Sequence, residues 1–337
     1  MSPPGRPKGE YRSAQHEGTP QRPRTRKPPP IVHEAERNVA EPTVAAVVRE
    51  QTGLAWSRAR ALCTDGRVSV DGQRCVDPAS RVAAGSIVVV DERAPRVRTG
   101  PLAESAIVHA DRDLVVVDKP AGMLSAPDEP GAKGTLADFT RALLRALGRG
   151  PDTALSVVHR LDRDTSGLIV LARTAEAKRR LAAQFRAHDI ERVYHAIAHG
   201  DVAATRVETM LVLDRGDGLR GSFGHFRRPR GSVPADAKRA VTHVEKIAAL
   251  AGATLVECRL ETGRQHQIRI HLAELGHPLV GESVYIRDYA GPRIKSSRVM
   301  LHAQALGFAH PRSGERVLFR CDAPEDFQAI IEALRPR

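Results

Sequence analysis

Residues 157–172 read Val157-Val158-His159-Arg160-Leu161-Asp162-Arg163-Asp164-Thr165-Ser166-Gly167-Leu168-Ile169-Val170-Leu171-Ala172. An apolar pair runs into a dense polar knot, and the chain leaves it through five consecutive apolar residues, Leu168 to Ala172. A run that short does not make an isolated buried helix and reads as a core strand. Gly167 lets the backbone turn tightly into it. A loop as polar as His159 to Ser166, held between buried strands, is where binding and catalytic groups usually sit. The residues alone also allow a blander reading, a hydrogen-bonded turn whose acids and arginines neutralise one another.

Taken as one string, His-Arg-Leu-Asp-Arg-Asp-Thr-Ser-Gly-Leu at 159–168 resembles the signature of RluA-type RNA pseudouridine synthases. In that family the acid after His-Arg-Leu is the catalytic aspartate, so the resemblance gives that role to Asp162. It gives Arg160 the task of filling the space a flipped base leaves, and puts His159 beside it in the substrate-binding set. Upstream, Asp118-Lys119-Pro120-Ala121-Gly122 is similar to the Lys-Pro-x-Gly turn that opens the family's catalytic domain. Lys119 would neutralise a phosphate or hold the site loop; Pro120 and Gly122 also fix a turn by themselves.

Downstream, residues 191–200 resemble the family's Lys-x-Tyr-x-Ala-x-x-x-Gly strand, with Tyr194, Ala196 and Gly200 in register and Arg192 in place of the lysine. A lone tyrosine in a strand is ordinarily core; its place in this pattern marks Tyr194 as the residue that packs on uracil. Residues 260–281, Leu-Glu-Thr-Gly-Arg-Gln-His-Gln-Ile-Arg-Ile-His-Leu-Ala-Glu-Leu-Gly-His-Pro-Leu-Val-Gly, follow the family pattern most fully. The resemblance places the arginine of Thr-Gly-Arg, Arg264, beside the catalytic acid. Physically the segment is a strand, a turn at Gly263, and a helix with Ile268, Leu272 and Leu275 as its buried stripe, stopped by Gly276 and Pro278. Residues 301–303 and 308–311 complete the match.

Between these motifs, residues 106–109 and 114–117 read as strands. Residues 135–147 read as a helix facing the core with Leu136, Phe139, Leu143 and Leu147. Thr174 caps a helix that turns Ala177, Leu181 and Phe185 inward and Lys178, Arg179 and Arg180 outward. The glycine- and arginine-rich 216–230 suggests a substrate-recognition loop, and strand character resumes at Lys238.

The 337 residues carry 52 Lys and Arg against 40 Asp and Glu, a formal charge of +12, which suits a polyanionic partner through counterion release. The residues alone also permit a basic protein whose arginines serve solubility. Only 4% of residues are aromatic, so shape and phosphate contacts are favoured over rows of stacking rings. No apolar run approaches a membrane span and the N-terminus lacks the core of a signal peptide, which makes a cytoplasmic protein the expectation. Cys63, Cys75, Cys258 and Cys321 show no metal-finger spacing, and His266 and His271, five apart, face different sides of a helix; no metal site is expected.

Residues 1–40 are rich in Pro, Gly and Arg and suggest a disordered basic tail. Residues 41–95 read as a helix from Thr43 to near Gly53, a second helix with Ser57 at its N-cap, a hairpin turning on Asp71-Gly72, and a last strand at 87–90. This module resembles the S-four-like RNA-binding fold, with Ser-Arg-x-x-Ala at 57–61 and Gly-x-Val-x-Val-Asp-Gly at 66–72. By that resemblance Ser57, Arg58, Arg60 and Arg67 face RNA phosphates. Residues 91–102 are linker-like, and 103–337 would form the catalytic domain.

Together these matches imply an α+β fold, a mixed and mainly antiparallel sheet with flanking helices around a basic cleft. They imply an isomerase acting on uridine in structured RNA (large-subunit rRNA or tRNA), as a monomer, with no cofactor and no protein partner. Two other readings remain. One is a catalytically silent RNA-binding or ribosome assembly protein with the same fold. The other is a metal-dependent hydrolase built on Asp162 and Asp164.

Overall fold

A computed structural model describes residues 31–32, 42–94, 102–127, 133–149, 155–225 and 232–336. Apart from Ile31 and Val32, the basic tail lies outside the described residues, as do residues 226–230 of the loop.

The first module pairs β1 (Ile31–Val32), β2 (Val68–Val70), β3 (Gln73–Cys75) and β4 (Ile87–Val90) in the order β1-β4-β2-β3. Its sheet therefore takes in two residues of the stretch that composition assigns to the tail. Helix α1 (Val44–Thr52) opens where the Thr43 hydroxyl accepts from Ala46 N and closes on Gly53 in the left-handed region, φ 68. Helix α2 spans Trp56–Thr64 with Ala55 at its N-cap, so Ser57 lies inside the helix and does not cap it. The β2–β3 turn sits on Asp71 and Gly72, φ 50 and 77, the left-handed pair that a two-residue hairpin needs. Val44, Val47, Val48, Leu62, Val68 and Val88 fill the core between helices and sheet.

The remaining strands form one eleven-stranded sheet. They are β5 (Ile107–Ala110), β6 (Leu114–Lys119), β7 (Ser156–Val157), β8 (Ser166–Ala172), β9 (Glu191–His199), β10 (Thr205–Val212), β11 (Gly221–Ser222), β12 (Lys238–Leu250), β13 (Ala253–Leu260), β14 (Leu301–Ala309) and β15 (Arg316–Arg320). The order is β11-β10-β12-β13-β9-β14-β8-β6-β5, with β15 on β14 and β7 on β8. Among the described residues only β14 and β8 pair in parallel, so the sheet is mixed and mainly antiparallel. Helices α3 (Leu136–Ala146), α4 (Ala175–Ala187), α5 (Gln267–Glu274) and α6 (Glu325–Ala333) flank it. Among the described residues no helix is long and apolar enough to cross a membrane.

Every residue of β8 is buried, and the two faces serve two cores. Ile169 and Leu171 pack with Val115, Val117 and Leu136 on one side. Leu168 and Val170 pack with Val116, Leu181 and Phe308 on the other. That two-sided burial accounts for the unbroken apolar run. At the head of β8, Gly167 has φ 108, and a Cβ there would lie 2.3 Å from the carbonyl oxygen of Ala303. Its missing side chain is what lets β14 come alongside.

Two helical stripes differ from their spacing. In α3 the buried residues are Leu136, Ala137, Thr140 and Leu144, with Phe139 and Leu143 only partly covered. Leu275 is 42% exposed, because α5 ends at Glu274 and the chain has begun to turn away.

Candidate active site

The signature loop connects β7 to β8, and the four consecutive carbonyls from Leu161 to Asp164 are each held by a hydrogen bond. The Ser125 hydroxyl accepts from Leu161 N at 3.0 Å and donates to Leu161 O at 2.8 Å. Thr165 N donates to Asp162 O at 3.2 Å. The Arg163 carbonyl accepts from Lys119 Nζ and from Gly122 N, each at 2.9 Å. Arg298, preceding β14, donates from Nη1 to the Asp164 carbonyl at 3.1 Å and pairs with Asp326 of α6. A loop so tied presents its carboxylate in one place.

Asp162 opens into a cavity of about 150 Å³ lined by Arg160, Leu161, Thr165, Tyr194, Leu260, Arg264, His266, Arg269 and Leu301, among others. That is well below the roughly 300–1,000 Å³ of a small-molecule pocket, and suits one flat ring with the rest of its molecule outside. The Asp162 side chain is 20% exposed, and the His266 ring lies beside it, Nε2 to Oδ1 at 3.9 Å. His266 caps α5 with φ 59 and meets the Tyr285 hydroxyl through Nδ1 at 2.8 Å. Burial holds the His266 imidazole below its usual pKa, against the pull of Asp162.

Tyr194, on β9, packs against the cores on both sides of the site. Burial pushes its phenol up to about 12, with Asp162 adding to the rise, so it carries its proton at neutral pH. Behind it, buried Arg192 donates from Nη2 to Leu260 O and Glu261 O at 3.4 and 2.9 Å. A Cβ on Gly263 would lie 2.3 Å from an Arg192 nitrogen, which gives the turn at Gly263 its physical reason. Gln267 braces the same turn. Its Oε1 accepts from the Thr262 hydroxyl and from Arg264 N, and its Nε2 donates to Val241 O and the Thr242 hydroxyl.

A sequence profile described as RNA pseudouridylate synthase matches residues 113–274, a span that includes Asp162, Tyr194, Arg264 and Arg269. The ribosomal large subunit pseudouridine synthase D of Zymomonas mobilis is 37% identical over 299 residues, covering 84% of this chain and 90% of that protein. The chain belongs to the RNA pseudouridine synthase family. An RNA pseudouridine synthase of Bacillus subtilis, YlyB, is 36% identical over 293 residues, 83% of this synthase and 90% of its own length. The solved structure of human RNA pseudouridylate synthase domain containing 4 shares the fold, with a TM-score of 0.55 at 24% identity over 66% of this synthase and 90% of that chain.

Within the synthase, the residues singled out by sequence divide into groups. Arg160, Asp162, Tyr194 and Arg264 line one cavity. Arg264, however, spends Nε on the Arg239 carbonyl at 3.0 Å. The arginine whose charge bears on Asp162 is Arg269, which sequence reasoning missed. Arg269 is buried and binds Glu282 through two hydrogen bonds, and burial working against it is overcome by Glu282 and then Asp162, raising its pKa. Its signal was a charged residue inside the apolar stripe of α5.

Of the two roles open to Lys119, neutralising a phosphate or holding the site loop, its contacts are those of the second. It is fully buried and donates from Nζ to Pro120 O, Met123 O and Arg163 O at 3.1, 2.9 and 2.9 Å. His159 is likewise turned away from the cavity: its Nε2 accepts from Val170 N at 3.1 Å and its ring stacks on Phe185 at 4.4 Å. In the first module Ser57, Arg58 and Arg60 are exposed and Arg67 is half-buried, while Arg58 pairs with Glu92 at 3.0 Å. Among the described residues one cluster has the makings of a metal site, Asp111, Asp113 and His310. Its carboxylates are already engaged, Asp111 by His109 and His310 and Asp113 by Arg312, and none of them lines the cavity.

Proposed function

We propose that this synthase isomerises uridine to pseudouridine in structured RNA, large-subunit rRNA above tRNA, using Asp162 and no cofactor. The observation that carries the reading is the single cavity shared by Asp162, Tyr194, Arg160 and Arg269, walled by a loop with its backbone tied down. The reaction breaks the bond between N1 of uracil and C1′ of the sugar and forms one between C5 and C1′. N1 gains a proton and C5 loses one, so atoms and electrons balance without a co-reactant.

A base must leave its stack before its sugar is reachable, which implies flipping. Exposed Arg160 stands at the rim to fill the gap, and the flat cavity takes the ring against Tyr194. Arg269 brings a positive charge to the cavity that Asp162 lines, and the two attract. Two routes fit that carboxylate, attack on C1′ or removal of a sugar proton beside it, and covalent carboxylate catalysis on sugars has precedent in glycosidases. Tyr194, a phenol that keeps its proton at rest, serves as a stacking surface and as a relay, its oxygen taking the C5 proton as its own proton passes to solvent. The first module supplies phosphate contacts through Ser57, Arg58, Arg60 and Arg67. The relative from Zymomonas mobilis, named for the large ribosomal subunit, supports rRNA as the substrate.

The test is incubation of the full chain with unmodified large-subunit rRNA and with tRNA transcripts, followed by digestion to nucleosides and quantification of pseudouridine. Pseudouridine in the rRNA is the expected result. RNA that binds but gains none in either class would favour the silent RNA-binding reading.

A further inference from the structure

Arg163 follows Asp162 directly, yet its side chain serves a different part of the molecule. Its Nε donates to Gly122 O at 3.1 Å, its Nη2 to Thr64 O at 2.9 Å and its Nη1 to Val76 O at 3.4 Å. Gly122 belongs to the turn that Lys119 braces; Thr64 ends α2 and Val76 follows β3, both in the first module. The Thr64 carbonyl is one of the unsatisfied groups at a helix C-terminus, where a cation is favoured. The guanidinium therefore joins the catalytic loop to the small module through neutral carbonyl acceptors, an arrangement that commits it to structure.

The seam extends beyond this residue. Ala79 packs with Leu211, Leu219, Ile270 and Tyr285 of the large sheet and α5 region. The Ser80 and Ser283 hydroxyls meet at 3.2 Å. Asp77 is close enough for Arg269 and His266 to act on its carboxyl. The stretch from Val76 to Ser80 thus forms part of the shell around the cavity residues.

We infer that the small module is a working part of the active site, docked through Arg163, which positions the Asp162 loop for reaction. This rests on the reading of Asp162 as the acting carboxylate. On this view the module sets the rate of isomerisation as well as RNA affinity.

Three variants of the full chain test it: Arg163→Ala, Ala79→Glu to force the seam apart from the module side, and their combination. Single-turnover rates at saturating enzyme and RNA dissociation constants are measured separately, with melting curves to check folding. Each single variant is expected to slow isomerisation by roughly tenfold or more while binding changes by less than about threefold. The double variant should be no slower than the slower single, because both remove one docked state. A Ser80→Cys/Ser283→Cys disulfide, made in a Cys75→Ser background because the Cys75 thiol lies beside Ser80, should restore the rate of Arg163→Ala.

Wild-type rate in Ala79→Glu alongside a slow Arg163→Ala would confine Arg163 to its own loop and overturn the inference. Weakened binding with an unchanged saturated rate would make Arg163 an RNA ligand and overturn it too. A cross-linked enzyme that is inactive without the Arg163 change would show that the docked state is not the reacting one. Activity in Asp162→Asn would instead remove the site reading itself, whatever these variants do.

Discussion

Arg269 grips Glu282 through Nε and Nη2, at 2.8 and 2.7 Å, in the same cavity wall where its charge reaches Asp162. Glu282 in turn accepts from the backbone N–H groups of Ser283, Val284 and Tyr285. A fork held this firmly offers fixed positive charge to the Asp162 carboxylate at no cost in reorganisation. Arg269→Lys keeps the charge but loses the two-point grip, and its turnover is expected to fall by about 10²-fold, the scale of losing a preorganised electrostatic contact. Arg264→Gln, which gives up a bond to a backbone carbonyl, should lose much less. Turnover and melting of both variants check this, and the reverse order would return the role to Arg264.

The same pair predicts acid lability. Burial works against ionising Glu282, but Arg269 and the backbone donors hold its carboxyl at about 2. A folded pKa below the unfolded one stabilises the protein above the unfolded value, about 4.3, and the gain disappears as pH falls from there toward 2. For this fully buried group the gain is on the order of a few kcal/mol. Chemical denaturation from pH 6 to pH 2 should show a steeper loss in the wild type than in Glu282→Gln, which starts less stable because Arg269 is left buried without its partner. Parallel curves would mean that Glu282 contributes no acid sensitivity.

Gly167→Ala tests the parallel junction. The new Cβ would meet the Ala303 carbonyl oxygen at 2.3 Å, a backbone atom that cannot swing aside, and φ 108 is itself strained for alanine. A loss of stability of about 3 kcal/mol or more is expected, since β14 must retreat from β8. A shift under 1 kcal/mol in denaturant would show that the two strands are free to adjust.

These examples mark how far the sequence alone reaches. Local signals transferred well: the cap at Thr174, the Asp71-Gly72 turn and the strand through 168–172 are written in neighbouring residues, whereas the cap read at Ser57 falls at Ala55. The motifs mark Asp162, Tyr194 and Arg160, and the fold brings the three to one cavity. Long-range choices were hidden. Arg264 and Arg269 sit five apart on one motif, and only the position of Glu282 decides which is locked near the carboxylate. Lys119 could neutralise a phosphate or hold the site loop, and what separates the two is the Arg163 carbonyl, 44 residues away in sequence, which joins the nearby Pro120 and Met123 carbonyls around its amine. Leu275 fitted a helical stripe, but the helix ends before it.

Tyr194→Phe removes only the hydroxyl. The phenol is pushed up to about 12 by burial and so stays protonated, and packing against both cores should survive the change. RNA binding and melting are expected to match the wild type, while turnover falls by roughly 10²-fold if the hydroxyl takes part in moving the C5 proton. RNA recovered from the variant should carry rearranged base that has not been released. Wild-type turnover would leave Tyr194 with packing alone.

Asp162→Asn is the most direct measurement. It keeps the size and most of the shape of the side chain while removing the charge that His266 and Arg269 face. Asp164→Asn is the control, the same substitution two residues away, at a residue whose backbone carbonyl is tied to Arg298. Pseudouridine formed in unmodified RNA is quantified for both, beside melting and RNA affinity. The expected result is an Asp162→Asn protein that folds, binds RNA and makes no pseudouridine, with measurable activity in Asp164→Asn. Comparable pseudouridine from Asp162→Asn and the wild type would contradict the account.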